Sequence, residues 1–292
     1  MPNLKEVRNR ITSVSSTQQI TSAMKMVSAA KLRRAQDAVT RLRPYSAKLR
    51  EILQNLSASL DASEGGQFSI KREPNKILLV AITSNRGLCG GFNANIIKLA
   101  NRLMQEEYAE QHKKGQVKLI TIGKKGSDYF KKNPGMVVSS HNEVFDNLVF
   151  ETVAPVAQSI MDAFANGSYD KVVILYNQFK NAAVQVPTNE GFLPVEPPST
   201  DAKVSQTDYI FEPEKNAIIQ DLIPKSLKIQ LYKALLDSLA AEHGARMTAM
   251  HKATDNAKEL LKDLKLSYNK ARQAAITNEI LEIVSGANAL KG

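Results

Sequence analysis

Leu4, Val7, Ile11 and Val14 recur at steps of three and four residues, Leu32, Ala35, Val39 and Leu42 repeat the step, and Leu49, Leu53, Leu56 and Leu60 extend it. Each such step returns a side chain to the same stripe of an α-helix. The spacing therefore predicts one long helix over residues 3–60 with a coiled-coil seam. Pro44 falls inside it, where a missing N–H and a ring clash predict a kink or a local end. One stretch breaks the stripe. Between Gln18 and Ser28 the seam positions are Gln18, Thr21, Lys25 and Ser28, while Ile20, Met24 and Val27 carry the apolar side chains sideways. Two readings fit: a stutter with local repacking, or a stretch whose outer face meets a second partner.

After a polar, Gly/Ser-bearing linker at Asp61–Lys71 the period changes. Lys76–Thr83 (KILLVAIT), Val117–Gly123 and Lys171–Asn177 (KVVILYN) are short aliphatic runs of the kind that form buried strands. Asn93–Gln111 and Leu148–Ala165 between them have helical spacing. Strands alternating with helices predict parallel pairing and an α/β layer structure. Ala182–Val195 and Tyr209–Phe211 read as further extended pieces around a Pro-rich loop, Pro194–Ser199. From about Glu214 a helical stripe returns through Tyr232, Leu236, Leu239, Met250, Ala253, Ala257, Leu260 and Leu264, with Pro224 expected to mark its start, because the residue before a proline resists helix. Two terminal helices that each carry half a seam pair most simply antiparallel. The predicted domains are thus 1–60, 61–211 and 212–292.

Charge is uneven. Residues 1–56 hold eleven Lys/Arg against three Asp/Glu, so they carry eight of the net +10, while the other segments are close to neutral. This points to an acidic protein partner, an anionic surface or nucleic acid for the first helix alone. Trp is absent and aromatics are 6%, lean for a stacking-based nucleic-acid binder. No apolar run approaches the roughly 20 residues of a membrane helix. The opening MPNLKEVRNRIT has no apolar core, so no secretory signal is expected, while a cleaved organellar presequence stays open.

Candidate chemistry is sparse. The loop SNRGLCGGFN (Ser84–Asn93) lies between a strand and a helix, where nucleotides often bind. Its glycines at 87, 90 and 91 match neither dinucleotide nor P-loop spacing, and it lacks the Lys-Ser/Thr that would meet phosphate and magnesium. Tight-turn packing is the expected role. Cys89, the single cysteine, stands near Arg86, which would favour a thiolate, yet it has no catalytic partner in sequence and reads as a buried thiol. His112, His141, His243 and His251 form no metal pattern, although His243 and His251 share a helix face. No Ser-His-Asp set and no catalytic carboxylate pair is evident. No cofactor, metal or catalytic residue is predicted.

The motifs TSAMKMVSAAKLRRAQ (Thr21–Gln36), SNRGLCGGFN, ARMTAMHKATDNA (Ala245–Ala257) and YNKARQAAITNEILEIVSGA (Tyr268–Ala287) closely resemble the γ subunit of F-type ATP synthases, in family order across the whole chain. The resemblance implies a long antiparallel coiled coil of the N- and C-terminal helices plus a central Rossmann-like α/β domain. It implies a non-catalytic rotor shaft inside a ring of alternating α and β subunits, whose β subunits it biases in turn, with its α/β domain on the membrane proton ring (the c-ring) and bound to ε. It favours the second-partner reading of Gln18–Ser28. Carried over residue by residue, Met24 and Lys25 match positions facing a mobile β loop, and Arg272 and Gln273 match a polar contact that catches a β subunit. Lys25 is expected to turn away from the second helix, because a lone buried ammonium is costly. The chloroplast members' cysteine pair is missing, so thiol regulation of that kind is not expected. The implied location is peripheral, on the cytoplasmic side of the bacterial inner membrane. Two rivals stand beside it: a nucleotide-binding α/β enzyme with helical arms, and a basic coiled-coil nucleic-acid protein, against which the near-neutral second helix argues.

Overall fold

The computed structural model describes residues 4–57, 67–195 and 215–289. The chain divides into two compact units, Ala29–Arg246 and Met1–Ser28 with Met247–Gly292. These units cut across the three segments expected from sequence, because the long helices α1 (Leu4–Ser57) and α6 (Lys215–Ala289) each contribute to both.

In the larger unit five strands, β1 (Ile77–Ile82), β2 (Val117–Ile122), β3 (Val137–Ser140), β4 (Lys171–Phe179) and β5 (Gln185–Leu193), lie in the order β3-β2-β1-β4-β5. β1 pairs in parallel with β2 (Ile77 opposite Val117) and with β4 (Ile77 opposite Lys171), and β2 with β3. The helices α2 (Phe92–Gln105), α3 (Ala109–Lys113), α4 (Lys124–Phe130) and α5 (Phe150–Ala165) fill the crossovers. Every residue of β1 is fully buried, and the pleat sorts them. Ile77, Leu79 and Ala81 pack with Ile96, Leu99 and Leu103 of α2 and with Phe130 of α4. Leu78, Val80 and Ile82 pack with Val153, Ile160 and Phe164 of α5 and with Leu227, Leu231 and Leu235 of α6. Both faces are covered, which is why β1 reads as a continuous aliphatic run without alternation.

Several local expectations change. β5 is antiparallel to β4, because a five-residue turn from Phe179 to Gln185 is too short for a parallel crossover. The edge strand β3, only four residues with Val138 exposed, was too short and too polar to stand out. The helix expected over 93–111 ends at Gln105 and restarts at Ala109, with Tyr108 buried between. Pro224 does not open α6: the helix runs through it from Lys215, as α1 runs through Pro44. Proline removes one helical hydrogen bond, a loss that packing on a buried face offsets. The extended piece at Tyr209–Phe211 and the linker up to Gly66 lie outside the described residues.

In the smaller unit α1 and α6 pair antiparallel. Arg8 donates to the Tyr268 hydroxyl at 2.7 Å, Thr254 to the Thr21 hydroxyl at 2.9 Å, and Lys25 Nζ lies 3.5 Å from His251 Nδ1. Advancing along α1 from 8 to 25 thus retreats along α6 from 268 to 251. The seam on α1 keeps its three-four register through the polar stretch: Val7, Thr21 and Ser28 are buried and Ile11, Val14, Gln18 and Lys25 half-buried. Ile20, Met26 and Val27 are instead 59%, 65% and 56% exposed. On α6 the seam passes through Met250, Ala257 and Leu261, all buried. Leu260, expected in the stripe, is exposed, since four residues on from Ala257 is the facing position and three is not.

Candidate functional site

Met24 and Lys25 lie half-buried on α1, whereas Arg272 and Gln273 are exposed on α6 beside half-covered Ala271, Ala274 and Ala275. The structure does not gather these four into one place. Lys25 meets α6 at His251, and Arg272 is 21 residues further along that helix, about 30 Å away at 1.5 Å per residue. The expectation that Lys25 turns away from the second helix is not met. A seam position faces its partner helix by construction, and the flexible Lys stem carries the ammonium to the edge. There it reaches the His251 imidazole, itself 3.2 Å from Asp255 and more than half exposed. Screened contacts of this kind are worth about 1 kcal/mol or less.

The second place of interest is the glycine-rich loop of the larger unit. It follows β1, at the end of the sheet where the chain turns to β2 on one side and β4 on the other. In open α/β sheets this crevice, outside the carboxyl ends of the strands, is the usual ligand site. Here α6 occupies it. Cys89 and Phe92 pack against Ala241 and Ala245, with Phe179 from the end of β4 alongside. Gly244 approaches so closely that a Cβ would lie 3.2 Å from Ala182 Cα, and Asn177 of β4 donates to the Phe92 carbonyl at 3.1 Å.

At the rim Arg246 reaches across, donating from Nη2 to the carbonyls of Arg86 (3.1 Å) and Gly87 (3.2 Å) and from Nη1 to Glu242, one turn back. Both charged side chains are about nine-tenths buried. The loop therefore turns two carbonyl oxygens to a cation, the reverse of the amide cradle that a phosphate needs. Leu88, at φ 63°, and Gly90, at φ 58°, supply the left-handed turns that aim those carbonyls.

From Ala234 to Arg246 α6 is buried almost all round, and it carries Asp237, Ser238, Glu242, His243 and Arg246 into that burial. Burial pushes the Asp237 and Glu242 carboxyls up, with Arg246 opposing it at Glu242. It pushes the His243 imidazole down to about 4, helped by the cations Arg246 and Lys31. Cys89 is 1% exposed and burial raises its thiol, so the nearby Arg86 does not make it reactive. The sequence pattern singled out neither Glu242 nor the Arg246 contact. The only signal was a charged i, i+4 pair inside an alanine-rich stretch. Among the described residues no group of three His, Cys, Asp or Glu is placed to hold a metal, and no helix is long and apolar enough to cross a membrane.

The smaller unit is an antiparallel two-helix coil with exposed apolar side chains, and the larger unit is a doubly wound α/β body whose ligand crevice is filled by α6; together they have the make-up of a stalk subunit. Comparison with known proteins agrees. A family model described as ATP synthase matches residues 3–290. The ATP synthase gamma chain of Flavobacterium psychrophilum is 62% identical over 293 residues, all of both chains, and that of Chlorobaculum tepidum is 49% identical, again over 100% of each. A chain from the central stalk and c-ring of Tetrahymena thermophila mitochondrial ATP synthase is 28% identical with a TM-score of 0.61, covering 80% of this chain and 99% of that one. A chain of the Euglena gracilis mitochondrial enzyme has the same fold, with a TM-score of 0.70 over 98% of this chain and 94% of that one. The chain belongs to the ATP synthase gamma-chain family, the non-catalytic central-stalk subunit.

Proposed function

We propose that the chain carries torque between a membrane proton ring and a catalytic hexamer of α and β subunits, coupling proton flow to ATP synthesis or hydrolysis. The observation that carries this reading is the set of apolar side chains that the coil of the smaller unit turns outward. Its seam is polar at Gln18, Thr21, Lys25 and Ser28, while Ile20, Met26 and Val27 and, near the end of α6, Ile276, Ile280, Leu281, Ile283 and Val284 stand 47–71% exposed. Apolar side chains turned outward on both helices call for a surrounding sleeve. A single shaft inside a three-fold sleeve presents a different face to each β subunit, so each is biased to a different conformation and nucleotide affinity. The shaft supplies only differential contact energy.

In this reading Met24 and Lys25 meet a mobile β loop and Arg272 and Gln273 a second β contact, while the α/β body engages the c-ring and ε. The machine is peripheral, on the cytoplasmic side of a bacterial inner membrane. Nucleic acid has no part in it. The test is reconstitution. Purified chain added to α and β subunits and to stripped membranes restores ATP-driven proton pumping if the reading holds. Failure to co-purify with α and β, or hydrolysis unaffected by leaving the chain out, overturns it.

A further inference from the structure

The buried Glu242–Arg246 pair has no role in a passive helix. Replacing a buried ion pair by apolar side chains is often neutral or stabilising, and Leu, Met and Ala already fill the neighbouring positions of α6. This pair sits where α6 crosses the glycine-rich loop. The apolar contact there is thin, made by Ala241, Gly244 and Ala245, residues chosen for close approach and offering little to resist sliding. Arg246 adds three directional hydrogen bonds, to Glu242 and to the carbonyls of Arg86 and Gly87. A planar guanidinium holds its partners in a fixed geometry, as an ammonium does not, and desolvation strengthens each bond.

We infer that Arg246 is a positioning residue, the lock that fixes the glycine-rich loop to α6 so that the α/β layers turn with the helix without slipping. This rests on the proposed torque-carrying role. Glu242 orients the guanidinium, and the loop offers carbonyls at Arg86 and Gly87 because the left-handed Leu88 and Gly90 turn it back. The lock occupies the position a ligand would take in a related sheet.

Cys89 reports on the lock directly. It is the single cysteine of the chain and lies under the loop, 3.3 Å from Asn93 Nδ2 and 3.7 Å from Ser84 Oγ. The experiment measures maleimide labelling of the folded full-length chain for wild type, Arg246→Lys and Glu242→Gln, and then ATP-driven proton pumping per ATP hydrolysed in the reconstituted complex. Arg246→Lys keeps the charge and loses the fork. It is expected to label at least tenfold faster, with at least a twofold fall in pumping per ATP, and Glu242→Gln to fall between it and wild type. Labelling unchanged in both variants overturns the lock. Faster labelling with unchanged pumping per ATP overturns its part in torque. A failure of the torque reading itself looks different, since the wild-type chain then restores no pumping.

Discussion

His243 lies between Arg246 on its own helix and Lys31 on α1, 8% exposed, and both cations disfavour its proton. The unfolded chain takes up that proton near pH 6.5 and the folded chain only near 4. Its contribution to stability is therefore complete above pH 7 and is lost as the pH falls from 6.5 to 4. At pH 5 the loss is about 2 kcal/mol. The carboxyls of Asp237 and Glu242 work the other way, because burial raises them, so the effect is isolated as wild type minus His243→Gln. Urea unfolding at pH 7 and pH 5 is expected to show that difference shrinking by about this amount, and a difference that does not change with pH would place a charged imidazole in the fold. Arg272 and Gln273 are exposed, so replacing both with Ala leaves the isolated chain's melting temperature in place. If they catch a β subunit, each lost charge-assisted bond removes roughly 1.5–3 kcal/mol and coupled turnover falls. Wild-type synthesis and hydrolysis rates in the double variant would remove them from the contact.

The two long helices separate stability from function along their length. In the larger unit Leu32, Ala35, Val39 and Leu49 of α1 are buried, and truncating Leu32 to Ala costs about 2–4 kcal/mol by transfer and cavity. In the smaller unit Val7, Met250, Ala257 and Leu261 are buried in the seam, while Ile20, Met26 and Val27 stand outside it. Changing Ile20, Met26 and Val27 together to Ala alters the isolated chain by less than about 1 kcal/mol, since each is more than half exposed and Ala is a better helix former. Activity of the assembled complex is expected to suffer more than stability. Chemical denaturation of both variants, set beside reconstituted turnover, checks the contrast. Thr21 and Thr254 bond to each other across the coil, and the pair Thr21→Val with Thr254→Val is expected to be neutral or mildly stabilising, because both hydroxyls leave together. A strongly destabilised double variant would show that the polar seam holds the helices.

At the scale of the molecule, a doubly wound sheet normally offers its crevice to a ligand, and this one is closed by α6 with carbonyls facing a guanidinium. Isothermal titration of the isolated chain with ATP at millimolar concentration is expected to show no saturable binding, and chain free of β subunit no turnover. Tight binding that protects Ser84–Asn93 from hydrogen exchange would mean that α6 leaves the crevice.

The element order was legible in the sequence because hydrophobic period is local. Steps of three and four announce a helix and a six-residue aliphatic run a doubly covered strand, and both survive in α1, α6, β1, β2 and β4. The family was legible in four motifs spread over the chain. Other features required the fold. Whether Ile20 or Thr21 faces the second helix depends on the register against residues more than two hundred positions away, and close packing of small polar side chains won that choice. Lys25 was placed outward on the cost of burying its charge, but a seam at the edge of a coil lets the ammonium reach water. The Arg246 lock joins residues 159 and 160 positions apart, and no periodicity in either segment encodes that meeting. Pattern determines what each segment becomes; which surfaces meet is decided by packing between segments that carry no local record of one another.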